Sequence, residues 1–130
     1  MNIKTIVSIL SVLAVAAGCS TDPKQSLEDL NMPIIQTKYT ADPAPIVIGD
    51  TLYLYTSHDE DDGENFHMKD WLLYTTTDMV NWQDRGAVAG LRNFKWYRNT
   101  NGAWAQQVVE RNGKFYMYCP IHGNGISVLM

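Results

Sequence analysis

An all-β fold built from repeated strand units is what this sequence predicts, and three observations predict it. Beyond residue 33 the apolar residues come in short runs bounded by turn residues, without the 3.6-residue period of a helix. Two of those runs are joined by Asn112-Gly113, both of which accept positive φ, so the pair reads as a tight hairpin. The third observation is a repeat: Ile46-Val47-Ile48-Gly49-Asp50-Thr51-Leu52-Tyr53-Leu54-Tyr55 lines up with Val109 to Tyr118. Tyr53 falls on Tyr116 and Tyr55 on Tyr118, at an offset of 63 residues.

Taken in order, the predicted strands are Ala44 to Ile48, Leu52 to Thr56, Trp71 to Thr75 and Trp82 to Val88. The pattern then restarts with Ala105 to Arg111, Phe115 to Cys119 and Gly125 to Met130. Each copy of the repeat is a strand, a tight turn and an aromatic strand, with room for two strands more. Four-stranded units at such an interval predict a β-propeller. Strands that are apolar at successive positions suit blades covered on both faces.

The chain has 130 residues, 45% of them hydrophobic and 18% charged, with a net charge of -4. That suits one small globular domain. The ten Lys and Arg are scattered, which argues against nucleic acid as a partner. Asp59-Glu60-Asp61-Asp62 reads as a solvated loop, and His58, His67 and His122 show no metal-ligand spacing, so loop or surface roles are expected for each.

The first 18 residues read as an export signal. Lys4 supplies a positive start, and Thr5 to Ala17 form an apolar core too short to span a bilayer comfortably. Ala16-Ala17-Gly18-Cys19 leads into the polar Ser20-Thr21-Asp22-Pro23-Lys24 and resembles a bacterial lipoprotein signal, in which the Cys is acylated. The expected organisation is a signal at 1–18, a polar tether at 19–33 and the β domain at 34–130. Export to a bacterial membrane, at the cell surface or in the periplasm, follows, with the membrane as partner through lipid on Cys19. Cys119 then has no partner, and its apolar run predicts a buried, inert thiol.

One carboxylate stands out. Asp42 precedes Pro43, which disfavours the helical region for it and predicts an extended backbone. Pro43 and Pro45 supply no N–H, as suits a strand end facing a cavity. An Asp-Pro turn before a strand is the plain alternative. The repeat sets Asp42 opposite Ala105, beside Trp104, at the start of the innermost strand of each unit. In a propeller those starts ring one mouth of the channel, so Asp42 and Trp104 are expected to share a pocket. An acid and an indole plate suit a sugar, whose apolar ring face stacks while its hydroxyls bond to polar groups.

Several motifs together carry a resemblance. They are Asp42-Pro43-x-Pro45-Ile46, Tyr53-x-Tyr55, Asp70-Trp71-Leu72-Leu73-Tyr74 and Thr76-x-Asp78-Met79-Val80-Asn81-Trp82. Trp104-Ala105 and Asn112-Gly113-Lys114-Phe115-Tyr116 follow in the same order. From Tyr39 to Met130 the chain resembles glycoside hydrolase family 43, the five-bladed propellers that cleave arabinose- and xylose-containing plant polysaccharides. The resemblance implies an inverting arabinofuranosidase or xylosidase acting on oligo- or polysaccharide, with Asp42 as general base and Trp104 in the sugar site. Phe66 and Asp59, on the long loop of blade one, are expected at the pocket rim. Gln106 replaces the Pro of a Trp-Ala-Pro pattern and is a candidate for a sugar hydroxyl. Trp71 and Trp82 are expected to pack between blades. No cofactor is required, although the family leaves room for a structural calcium in the channel of the complete propeller; no ligand for it is assignable here. The family's acid Glu and tuning Asp belong to later blades, so these two blades alone are expected to be inactive. A surface glycan-binding propeller without catalysis is the alternative.

Overall fold

A computed structural model of the chain describes residues 33–130. The predicted signal, the acylation site Cys19 and nearly all of the tether therefore lie outside the described residues.

Among the described residues there are seven strands, one for each predicted run. Strands β1 (Tyr39–Ile48), β2 (Thr51–Asp59), β3 (Asp70–Thr76) and β4 (Gln83–Gly90) form one antiparallel sheet in chain order. Strands β5 (Gln107–Arg111), β6 (Lys114–Ile121) and β7 (Gly125–Leu129) form a second. The repeat survives in the register: Ile46 pairs with Tyr53 in the first sheet, and Val109 with Tyr116 in the second. Asn112 and Gly113 both take positive φ, 55° and 72°, the backbone that a two-residue hairpin turn requires.

Between β3 and β4 the chain turns around Asp78. One carboxylate oxygen accepts from the backbone N–H of Val80 (2.9 Å) and of Asn81 (2.7 Å), and the other from the Asn81 side-chain amide at 2.7 Å. The Asn81 amide, with these backbone donors, holds the Asp78 carboxyl well below the usual range.

Side chains alternate across the sheets. Leu54, Leu72 and Tyr74 point to one face of the first sheet, where Ile35 and Trp82 pack against them. Trp71 and Ala89 point to the other face and join Val108, Met117, Cys119 and Ile121 of the second sheet. Trp71 thus packs between the sheets as expected, whereas Trp82 covers the opposite face. The first sheet is apolar on both faces, which is why its strands lack a clean hydrophobic alternation. Strands β1 and β5 touch without pairing, as the innermost strands of adjacent blades do. Cys119 is fully buried, and desolvation pushes its thiol up to about 12.

Most strand ends shift by one or more residues from expectation, and two of the shifts bear on the site. β1 starts at Tyr39 rather than Ala44, because pairing continues past the Asp42-Pro43 step through a β-bulge. β5 starts at Gln107 rather than Ala105; before it, Ala103 makes a single bridge to Ile121.

Candidate functional site

Asp42 occupies the bulge itself. Ala41 pairs with Ser57 and Ala44 with Tyr55, so Asp42 and Pro43 together face the single residue Thr56. The expected extended backbone is corrected here: Asp42 has φ 52°, in the left-handed region. Pro43 does deny Asp42 the right-handed helical region, but the extra residue in the strand selects the left-handed alternative. Asp tolerates it better than most residues because its short polar side chain bonds locally. That conformation costs about 1–3 kcal/mol and re-aims the side chain. One carboxylate oxygen accepts a 2.7 Å hydrogen bond from Ser57 Oγ, and Ser57 is fully buried. Asp42 itself is exposed. One carboxylate oxygen of this otherwise exposed residue is thus fixed by a buried donor.

Trp104, Phe66, Tyr97 and His122 line a cavity of about 470 Å³, edged by Asn65 and residues 99–102. The Phe66 ring stands 6.4 Å from that of Trp104 at 77°, and the His122 ring 5.6 Å away at 71°. Both are edge-on to the indole, an attractive arrangement for aromatic pairs. Asn101 ties this assembly together across the two sheets. Its Oδ1 accepts from the Met68 N–H at 2.9 Å, and its Nδ2 donates to the Phe66 carbonyl at 2.7 Å. The Gly102 and Ala103 N–H groups both donate to the Met68 carbonyl, at 2.9 and 3.0 Å.

Of the expected site residues, Trp104 and Phe66 thus meet. Asp42 is not a wall of their cavity, so the expected shared pocket is replaced by a relay. Ser57 bonds Asp42 and pairs with Trp71, and Trp71 Nε1–H donates to the Trp104 carbonyl at 2.7 Å. Asp59 and Gln106 stand elsewhere. The Asp59 carboxylate accepts the His67 N–H at 2.8 Å and closes the long loop instead of facing the cavity. Gln106 is buried, 4% exposed, with neither amide atom partnered in the described structure. It packs inward and is not a wall of the cavity.

The structure also gathers groups that the sequence kept apart. His58 Nδ1 lies 2.9 Å from Asp70 Oδ1 and 3.6 Å from Glu60, whose other oxygen pairs with Lys69 Nζ at 2.8 Å. The expectation of no ligand clustering is corrected: His58, Glu60 and Asp70 offer ligand atoms within 4.8 Å of one another. They converge because β2 ends where β3 begins. The set does not fit calcium, which asks for six or more oxygens, while one donor here is a nitrogen and one carboxylate is held by Lys69. It works as a polar knot, with the Lys69–Glu60 ion pair and the His58–Asp70 contact bracing the long loop.

The sequence reading left His122 as a loop or surface residue and did not single out Ser57, although both placements were within its reach. Counting back from the Gly49-Asp50 turn sets Ser57 opposite Asp42 in an unbulged hairpin. The 63-residue offset maps Asp59 onto His122, so the rim position expected in one blade is realised in the other.

The model of "Glycosyl hydrolases family 43" matches residues 30–129. The chain belongs to that family. A xylosidase/arabinosidase of Bacteroides ovatus is 35% identical over 97 residues, covering 68% of this chain and 29% of the relative. An arabinoxylan arabinofuranohydrolase of Bacillus subtilis is 30% identical over 143 residues, 95% of this chain and 28% of its own length. Among solved structures, the family 43 enzyme from Xanthomonas citri complexed with xylotriose matches with a TM-score of 0.65 and 34% identity. The match covers 75% of this chain and 30% of that one. This family 43 chain therefore spans under a third of the curated relatives it matches. Its two sheets are two blades of the family's five-bladed propeller.

Proposed function

We propose that these blades carry the general base of an inverting glycosidase acting on arabinose- or xylose-containing polysaccharide, and that Asp42 is that base. The observation that carries the reading is the strained bulge, which turns Asp42 out of its strand while Ser57 holds one of its oxygens. Strain of this kind collects at functional sites, where surrounding structure over-determines it. In the proposed reaction Asp42 takes a proton from a water as that water attacks the anomeric carbon. An acid on a further blade, about 6.5–9.5 Å away, protonates the leaving oxygen. The relatives named for xylosidase and arabinofuranohydrolase activity, and the neighbour complexed with xylotriose, support a pentose-containing substrate. The apolar trough at Trp104 and Phe66 supports sugar binding. Delivery to a bacterial membrane through lipid on Cys19 is part of the proposal and rests on Ala16-Ala17-Gly18-Cys19.

The test is turnover of aryl xylosides and aryl arabinofuranosides by the protein in which these blades are completed, compared with Asp42→Asn. Loss of at least about a hundredfold is expected, the worth of a general base. Unchanged turnover removes Asp42 from that role. A second reading, glycan binding without hydrolysis, is favoured by an aromatic cavity at Trp104 that does not include Asp42 among its walls. It predicts retained oligosaccharide binding and no product from either pentoside.

A further inference from the structure

We propose that the segment from Leu91 to Arg98, which follows β4, carries a patch that docks on anionic lipid headgroups and so fixes how the protein faces the bilayer. The inference rests on the reading that this chain is delivered to a bacterial membrane, and it assigns the surface that meets that membrane. Its first support is periodicity. Leu91–Asn93 is a short 3₁₀ helix, after which the Phe94 N–H donates to the Leu91 carbonyl at 3.0 Å and the Tyr97 N–H to the Phe94 carbonyl at 2.9 Å. Successive turns of this kind bring residues three apart onto one side. Leu91 and Phe94 are buried and Tyr97 is half-buried, so that stripe faces the core. One step along, Arg92, Lys95 and Arg98 form a second stripe, and all three are exposed. A three-residue stripe has neither the helical nor the strand period, so the sequence pattern does not show it.

Charge is the second support. Over the whole chain the cations are scattered, but the acids are not. Between Asp84 and Glu110 stand four of the ten Lys and Arg and none of the fourteen Asp and Glu. Among the described residues, none of Arg92, Lys95 and Arg98 has a carboxylate within 4 Å. Asp70, which abuts Gly90, is engaged by His58 instead. An acidic chain thus presents one local cationic strip, the sign that an anionic leaflet attracts. The third support is Trp96, 53% exposed yet packed at 5.9 Å from the Phe94 ring and 5.7 Å from that of Tyr97. Phe94 is itself anchored on buried Trp71 at 6.4 Å, and Tyr97 Oη donates to the Asn101 carbonyl at 2.7 Å. An indole held half out of the surface among Lys and Arg suits a membrane–water interface, where the ring sits at headgroup level and the cations reach phosphate.

Position favours a membrane over an acidic polysaccharide as the partner. The Lys38–Asp84 ion pair, at 2.8 Å, fastens the first described residues beside the start of β4, and Ile35 packs on the same buried cluster as Trp82. The patch begins where β4 ends, eight residues on, a span of about 25 Å. Pro33 lies 14 residues after Cys19, a stretch whose reach is at most about 50 Å. A lipid on Cys19 and the patch can therefore touch one bilayer.

The experiment measures cosedimentation of the completed protein, expressed from Ser20 so that it carries neither signal nor lipid, with vesicles of phosphatidylcholine alone and with about one third phosphatidylglycerol. Binding to the anionic vesicles is expected to be at least about tenfold tighter than to the neutral ones, and to weaken as salt is raised. Lys95→Gln and Arg98→Gln should each cost about fivefold, and the two combined with Arg92→Gln about a hundredfold. Trp96→Ser should weaken binding while keeping its salt dependence. The three cations are exposed, so their variants should melt with the parent, and the single changes decide the matter even if the triple variant folds poorly. Lipid is absent throughout, so the result stands apart from acylation of Cys19, which fatty-acid labelling tests separately. Equal affinity for the two vesicles, or undiminished binding in Lys95→Gln and Arg98→Gln, overturns the proposal. Binding to polygalacturonate but not to vesicles, lost in the same variants, also overturns it and gives the patch to an acidic polysaccharide.

Discussion

Replacing Trp71 by Phe tests the joint between the two sheets. Trp71 is fully buried, lies edge-to-face with Phe94 at 6.4 Å, and donates its indole N–H to the Trp104 carbonyl at 2.7 Å. Phe keeps one ring but leaves a void of roughly 40 Å³, which at about 24 cal/mol per Å³ costs about 1 kcal/mol. The orphaned carbonyl adds about 1–3 kcal/mol, because nothing replaces the lost donor. The total is about 2–4 kcal/mol, or a fall in Tm of roughly 10–25 °C for a domain of this size. Trp82→Phe is the internal control. Its indole N–H meets the Met79 carbonyl at 3.2 Å in an exposed setting, where water can substitute, and the loss should stay below about 1 kcal/mol. Denaturant titration followed by circular dichroism measures both. The bonded carbonyl belongs to Trp104, so Trp71→Phe should also weaken oligosaccharide binding at the cavity. A loss below about 0.5 kcal/mol, or one equal to that of Trp82→Phe, would refute the view that this indole bond joins the sheets.

Three further outcomes are expected. Asp78→Asn should lower stability at neutral pH. The Asp78 carboxyl lies below its ordinary value, so the contribution of its charge is present above about pH 4 and is lost as the pH falls through the lower folded value. Melts of the two proteins should therefore converge in acid, and a gap that widens on acidification would reverse the assignment. The Cys119 thiol, pushed up to about 12 by burial, should resist a thiol reagent at pH 8 in the folded chain and react once it is denatured; equal rates in both states would show it to be accessible. Cys19→Ser should abolish incorporation of labelled fatty acid in a bacterial host, and undiminished labelling would remove the lipoprotein assignment.

The strands were legible because their signals are local. Asn112-Gly113 and the tyrosines at alternate positions each act within a few residues, the repeat shows the same local pattern twice, and the register of both hairpins follows. Asp42 was legible as an unusual carboxylate but its backbone was not. Pro43 predicts what Asp42 avoids, while the bulge that chooses its conformation arises from pairing with β2. His122 was obscured for a different reason. A histidine on a turn has no pattern of its own, and its place beside Trp104 depends on Gly102 and on the Asn101 bonds that reach across from the other sheet. The knot of His58, Glu60 and Asp70 likewise joins residues that flank a loop, where spacing along the chain says little about separation in space.

In both sheets every strand bonds only to its immediate predecessor and successor in the chain. Such connectivity keeps partners close along the polypeptide, and chains of low contact order fold quickly. The first sheet has all its hydrogen-bonding partners once Gly90 leaves the ribosome, so it can assemble during translation, with the second following hairpin by hairpin. Trp71 is then the residue left waiting. Its ring and its N–H are satisfied only after residues 94–121 arrive, which makes the docking of one sheet on the other, rather than strand pairing, the step that commits the chain.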